Sequence, residues 1–228
     1  LSVTYEGCAM REQLLQQTLG QLASQIPGAT RLFREHQLDF CCGGQHTLEQ
    51  ACQQPGLNRE QLLEALQALS QQPGSDQDWQ ATATPALIDH LLTRYHARHR
   101  QQFEELIRLA SRVEQVHAAS GDCPHGLTDF LHEMREALES HMMKEEQILF
   151  PMLLQGAGRM AGGPISVMRF EHDQHGDALA ELSTLTNDMQ PPAGACNTWR
   201  ALYRGLDELR NDLLQHIHLE NDILFLRS

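Results

Sequence analysis

Long apolar runs are missing from this chain. No stretch approaches the roughly 20 residues that a bilayer crossing needs, and the first residues carry no basic segment followed by an apolar one. The expectation is a soluble, cytoplasmic protein without a membrane partner. Positive charge is scarce as well: Lys and Arg total 17 against 30 Asp and Glu, a formal net charge of -13. Clustered cations are what neutralise phosphates, so this balance argues against a general nucleic-acid or anionic-membrane surface. Cysteine occurs without a framework. The six residues Cys8, Cys41, Cys42, Cys52, Cys123 and Cys196 include one adjacent pair and otherwise lie scattered, unlike the staples of a small secreted domain, so reduced thiols are expected.

What the chain has in excess is histidine, 13 residues, most of them in the second half. A chain of 228 residues has core enough for one large domain or for a small one joined to a larger one. The stretch from Gln71 to Pro85 is rich in breakers and polar residues and marks the cut. Residues 1–75 are expected to form a small helical N-terminal domain, and residues 85–228 a larger one.

In the small domain the first residues lack periodicity, and helical patterning starts near Met10 with Leu14, Leu15, Leu19 and Leu22. Pro27 suits the first position of a second helix. Thr47 with Gln50 has the spacing of a capping box, and Asn58 can cap a helix carrying Leu62, Leu63, Leu66 and Leu69. Between these, Cys41 and Cys42 precede Gly43 and Gly44, which force a turn. Thiols in such a turn can be exposed, with His36 and His46 near enough in sequence to tune them. Burial in the small core is the competing reading. A zinc site from the cysteine pair and these two histidines matches no common spacing.

The larger domain reads as four long amphipathic helices separated by Gly- or Pro-containing breaks at 119–126, 155–164 and 189–195. Short connections make neighbours antiparallel, which predicts an up-down-up-down four-helix bundle. Its second helix carries Leu127, Leu131, Met134, Leu138, His141, Glu145, Ile148 and Met152 in steps of three and four, the mark of a core-facing stripe. The fourth helix repeats it as Leu202, Leu206, Leu209, Leu213, His216, Glu220 and Ile223, each ligand 75 residues after its counterpart (216 minus 141, 220 minus 145). On helices one and three the stripes read Leu92, His96, His99, Phe103, Leu106, Ala110, Val113 and Met168, His172, His175, Leu179, Leu182, Met189, with a repeat of 76 (172 minus 96). The bundle is a duplicated helix pair.

A lone histidine on an apolar stripe is more often a hydrogen-bonded core residue than a ligand. An ionised glutamate in a core, however, costs several kcal/mol unless paired or metal-bound, and here that cost falls twice at matching positions. His and Glu four residues apart share one helix face, so each pair can grip a metal ion. Helices one and three then supply a histidine each, His96 or His99 and His172 or His175, the other of each pair being a support; Glu171 is a further candidate support. Imidazoles and carboxylates without thiolate suit iron, manganese or zinc rather than a structural zinc site, and redox iron is the natural choice. Two six-coordinate ions offer about twelve positions; four His, two bridging Glu and a bridging oxide or hydroxide fill about ten, leaving room for a small ligand.

His96, the run HMMKEEQILFP from His141, Glu171-His172, the run HIHLENDILF from His216, and DFCCGG from Asp39 together resemble a haemerythrin-like bundle. They resemble in particular the repair-of-iron-centres family, the iron-sulfur cluster repair di-iron proteins of the ScdA and YtfE type. The resemblance implies a non-haem di-iron centre held by His96, His141, Glu145, His172, His216 and Glu220, in a cytoplasmic, homodimeric protein. It implies a role in restoring iron-sulfur clusters damaged by nitric oxide or oxidants, with damaged iron-sulfur proteins as partners; donating or mobilising iron from a labile di-iron site is the leading mode expected. It also implies redox work or iron hand-over for Cys41 and Cys42. A di-iron nitric oxide or peroxide reductase and an oxygen-binding haemerythrin-like module are the alternatives. One departure is Leu226, where the first repeat has Pro151.

Overall fold

The structure, a computed structural model, describes residues 3–26, 28–38, 40, 45–70 and 79–227. Among the described residues all regular structure is helical, and strand-like pairing is confined to an isolated bridge between Thr18 and Thr47. The all-α class read from the sequence is what the chain adopts. Two compact units result, one of residues 1–83 with 217–227, the other of residues 84–216.

The first unit contains α1 (Val3–Gln16), α2 (Leu19–Gln25), α3 (Ala29–Glu35), α4 (Leu48–Ala51) and α5 (Arg59–Ser70). Helix α1 starts upstream of Met10, the first residue with an apolar period. Adding a turn to an existing helix costs little, so it needs no stripe of its own. A break at Thr18 divides the expected single helix in two. Thr18 accepts the N–H of Gln21 at 3.2 Å while its own N–H donates to the Gln21 side chain at 3.0 Å. Thr47 and Gln50 form the same box with the same distances, as their spacing predicts. The two capped starts lie together, with Leu19 N–H donating to His46 O and Leu48 N–H to Gln17 O, both at 2.9 Å. Asn58 caps α5 through Gln61 N–H at 3.2 Å. Leu22, Phe33, Leu48, Leu62 and Leu66 are fully buried. In this unit, too, lie the last turns of the chain: Phe40 meets the His218 ring edge-on at 5.6 Å, and Arg227 donates to the carbonyls of Thr82, at 2.7 Å, and of Trp79.

In the second unit α6 (Thr84–His90) runs through a π-helical turn, Leu91–His96, into α7 (Ala97–Val116). Helix α8 (Leu127–Lys144) runs through a second, Glu145–Leu149, into α9 (Phe150–Leu154). Helix α10 (Gly162–Leu185) follows a short 3-10 turn, and α11 (Asn197–Leu219) leads into a third π turn, Glu220–Leu224. Four long helical runs thus fall where the periodicity places them, in a helical bundle; Gly162, Gly163 and Pro164 move from the break into the first turn of α10, and that helix ends at Leu185, ahead of the expected break at 189. Gly126, at φ 85°, precedes α8 with no capping side chain. Glu114 on α7 supplies the cap, accepting from the N–H groups of Gly126 at 2.6 Å and Thr128 at 2.9 Å.

Three stripe positions differ from the expectation. Leu92 is only half-buried, whereas Leu91 is fully buried, Ile148 is 52% exposed while Leu149 and Phe150 are buried, and Met152, in α9, is half-buried. Leu92 and Ile148 lie in π turns. There the backbone N–H donates to the carbonyl five residues back, Ala97 to Leu92 and Phe150 to Glu145. One extra residue per turn moves the inward face by one position, which a count in threes and fours does not register.

Candidate metal centre

The π turns sit at the candidate ligands. His96 ends the first, Glu145 begins the second and Glu220 begins the third; such turns are frequent at functional sites. Pro151 follows the second turn but Leu226 stands at the matching position after the third, so proline is not their cause.

The six residues expected from the sequence come together in the bundle core, each at most 1% exposed. They form two sets, His96, Glu145, His216, Glu220 and His141, Glu145, His172, Glu220, and within each set one donor atom per residue lies within 4.8 Å of every other. The Nε2 atoms of His96 and His216 are 3.2 Å apart, those of His141 and His172 3.1 Å. Both glutamates belong to both sets. Glu145 shows how: Oε2 stands 3.4 Å from His96 Nε2 and Oε1 3.3 Å from His141 Nε2. Each carboxylate oxygen therefore faces a different imidazole pair, the disposition of a bridge between two cations.

The donor set fits a metal. Two carboxylates without solvent exposure, surrounded by imidazole nitrogens, are costly without a cation among them. Burial keeps the His216 imidazole in its ligand form, pushing its pKa well below the ordinary value, with His96 and His99 adding to the effect. A set of nitrogen and carboxylate donors lacking sulfur suits iron, manganese or zinc.

The structure separates the histidine pairs that spacing left open. His99 belongs to neither set; its Nε2 meets Nδ1 of His216 at 3.2 Å. His175 also lies outside both and stands edge-on to the His141 ring at 5.1 Å. Glu171 accepts from His141 Nδ1 at 3.0 Å and from Lys144. Burial works against its charge, but the Lys144 and His141 hydrogen bonds outweigh it and hold the carboxyl below its usual range. Glu146, which sequence reasoning missed, accepts from His96 Nδ1 at 2.8 Å and from Arg100 at 3.0 Å. It reaches another helix, and no period along its own helix signals such a contact. Cys41 and Cys42 lie outside the described residues. Of their candidate partners, His36 is half-buried and His46 exposed.

His99 gives a pH prediction for the metal-free chain. Burial lowers its pKa from 6.5 to about 4, so between those values the unfolded chain binds a proton that the fold refuses. Stability is therefore complete above pH 6.5 and declines as the pH falls towards 4, by about 3 kcal/mol, with His216 adding in the same direction. Urea unfolding of metal-free protein at pH 7 and pH 4.5 measures it, and equal midpoints would refute it.

Comparison with known proteins places this geometry. Residues 87–227 match the family model described as the hemerythrin HHE cation binding domain, and residues 15–70 match a domain of unknown function (DUF542), the ScdA_N model. Among curated relatives, the iron-sulfur cluster repair protein YtfE of Dickeya chrysanthemi is 52% identical over 93% of this chain and 96% of its own. The proteins of the same name from Pectobacterium atrosepticum and Yersinia pseudotuberculosis are 50% and 51% identical over the same shares. With its histidine and glutamate sets in the matched bundle and half its residues shared along nearly the whole length, the chain belongs to the haemerythrin-type iron-sulfur cluster repair family.

Proposed function

We propose that this chain repairs iron-sulfur clusters damaged by nitric oxide or oxidants, acting as an iron donor from a non-haem di-iron centre. His96 and His216 would hold one iron and His141 and His172 the other, with Glu145 and Glu220 shared between the two sets. The observation that carries this reading is the division of the Glu145 oxygens between two imidazole pairs. When bound, the iron pair supplies redox chemistry, small-ligand binding and exchangeable metal. The protein's own part is to keep the His216 imidazole neutral by burial and to hold His96 and His141 through Glu146 and Glu171. The names of the relatives support the choice of repair.

The metal lies in residues 85–228 and the thiols of Cys41 and Cys42 in residues 1–75, where they serve redox or hand-over chemistry. The setting is a cytoplasmic homodimer whose partners are damaged iron-sulfur proteins; among the described residues no helix is long and apolar enough to cross a membrane. The test incubates iron-loaded and metal-free protein with a nitrosylated iron-sulfur enzyme and follows its recovered activity. Recovery with the loaded protein alone supports donation, and equal recovery with both refutes it. Cys41→Ser with Cys42→Ser should leave iron content unchanged and lower the recovery; full recovery by the double variant would assign these thiols no part.

A further inference from the structure

His96 and His141 turn Nδ1 to carboxylates, Glu146 and Glu171. A carboxylate can only accept, so one contact places the hydrogen on Nδ1 and leaves Nε2 bare for a metal. His216 is held differently. Its Nδ1 meets an imidazole, Nε2 of His99, at 3.2 Å, and a neutral imidazole nitrogen can donate or accept. Nδ1 of His99 in turn meets the side-chain oxygen of Gln102 at 3.2 Å, and an amide also presents either sense. The chain of ambiguous groups ends at Asp212, whose Oδ2 lies 2.8 Å from Gln102 Nε2 and whose Oδ1 accepts from Arg94 at 2.7 Å. Asp212 is the first member with a single sense.

Read back from Asp212, every hydrogen is fixed. The carboxylate, charged beside Arg94, accepts, so the Gln102 NH2 group faces it and the amide oxygen faces His99. His99 must then donate from Nδ1, which leaves its Nε2 to accept, so His216 carries its hydrogen on Nδ1 and offers Nε2 to the centre. We infer that Gln102 and Asp212 are positioning residues for the metal centre, setting the tautomer of His216 through His99. All the members lie on α7, the π turn that precedes it, and α11, and Asp212 stands four residues before His216 on α11, so the relay spans two neighbouring helices. It rests on the proposed ligand role of His216, but its first consequence concerns the metal-free chain.

The experiment records long-range proton-nitrogen spectra of the histidine rings in metal-free, 15N-labelled full chain at neutral pH. The expected spectrum has the Nδ1–H tautomer at both His99 and His216; an Nε2–H signal at either overturns the relay. Gln102→Leu should mix the tautomers of both rings and weaken iron binding roughly 10–100-fold, the usual consequence of removing a hydrogen-bond partner behind a ligand. Pure Nδ1–H tautomers and unchanged affinity in this variant overturn the proposal. The exchange Gln102→Glu with Asp212→Asn conserves charge and keeps an acceptor facing His99, so it should retain both tautomers and bind iron within a few-fold of the parent. This pair is the deciding variant if Gln102→Leu fails to fold, and mixed tautomers in it overturn the relay. A parent that shows both tautomers but takes up no metal leaves the relay standing and removes the di-iron reading instead.

Discussion

Glu145→Leu is expected to empty both halves of the centre and, at the same time, to make the metal-free chain more stable. Glu145 belongs to both donor sets, so its loss takes a ligand from each ion, whereas loss of His172 would touch one set alone. The opposite effect on the metal-free fold follows from burial. The carboxylate is wholly shielded from solvent, and exchanging a buried charged group for an apolar one of similar volume is often stabilising, by about 1–4 kcal/mol. In the parent, metal at a thousandfold its dissociation constant contributes about 4 kcal/mol per site. Calorimetry with and without iron should therefore find a large metal-dependent rise in Tm for the parent and none for the variant, whose metal-free Tm exceeds that of the metal-free parent. Metal content near the parental value, or a variant still stabilised by iron, would show that Glu145 does not bridge.

The second large effect comes from removing residues 1–83. Ile217–Arg227 belong to the same compact unit as those residues, and Glu220 rides on that segment. His218 and Asn221, at most 6% exposed, are polar residues buried beside Glu220. His218 bonds Asp222 at 2.9 Å and meets Phe40 edge-on. A Cβ placed on Gly20 would come within 2.8 Å of the Asp222 carboxylate, so α2 runs hard against this turn. Residues 84–228 alone should remain helical but hold iron less tightly than the full chain, because the turn that aims Glu220 loses its partners, each buried apolar side chain contributing about 1.5–3 kcal/mol. Iron titration of the two forms under competing chelator measures the difference. Equal affinities would mean that Glu220 is fixed by the bundle alone.

The convergence of the six buried His and Glu residues was legible in the sequence because their signal is local and their cost is not negotiable. His and Glu four residues apart share a helix face wherever the helix lies, and a glutamate on an apolar stripe must be compensated. Duplication after 75 residues removed the chance that this was accidental. The helix breaks and the capping box at Thr47 were legible for the same reason, since each depends on residues within one turn of chain. The resemblance to the repair family added the expectation of iron and of repair, which spacing alone does not carry.

Tertiary structure decided what depends on neighbours. His96 and His99 stand three apart and both face inward, and only the packing of α7 on α11 turns one to the centre and the other to the back of His216. Glu146 has no apolar period of its own and matters because it reaches His96 from another helix. The π turns have no residue signature, since the same widened turn follows Glu145 with Pro151 and Glu220 without it; they moved burial from Leu92 to Leu91 and exposed Ile148. Spacing along one helix determines which side chains share a face. The hydrogen bonds and register shifts that give each side chain its role come from the elements packed around it.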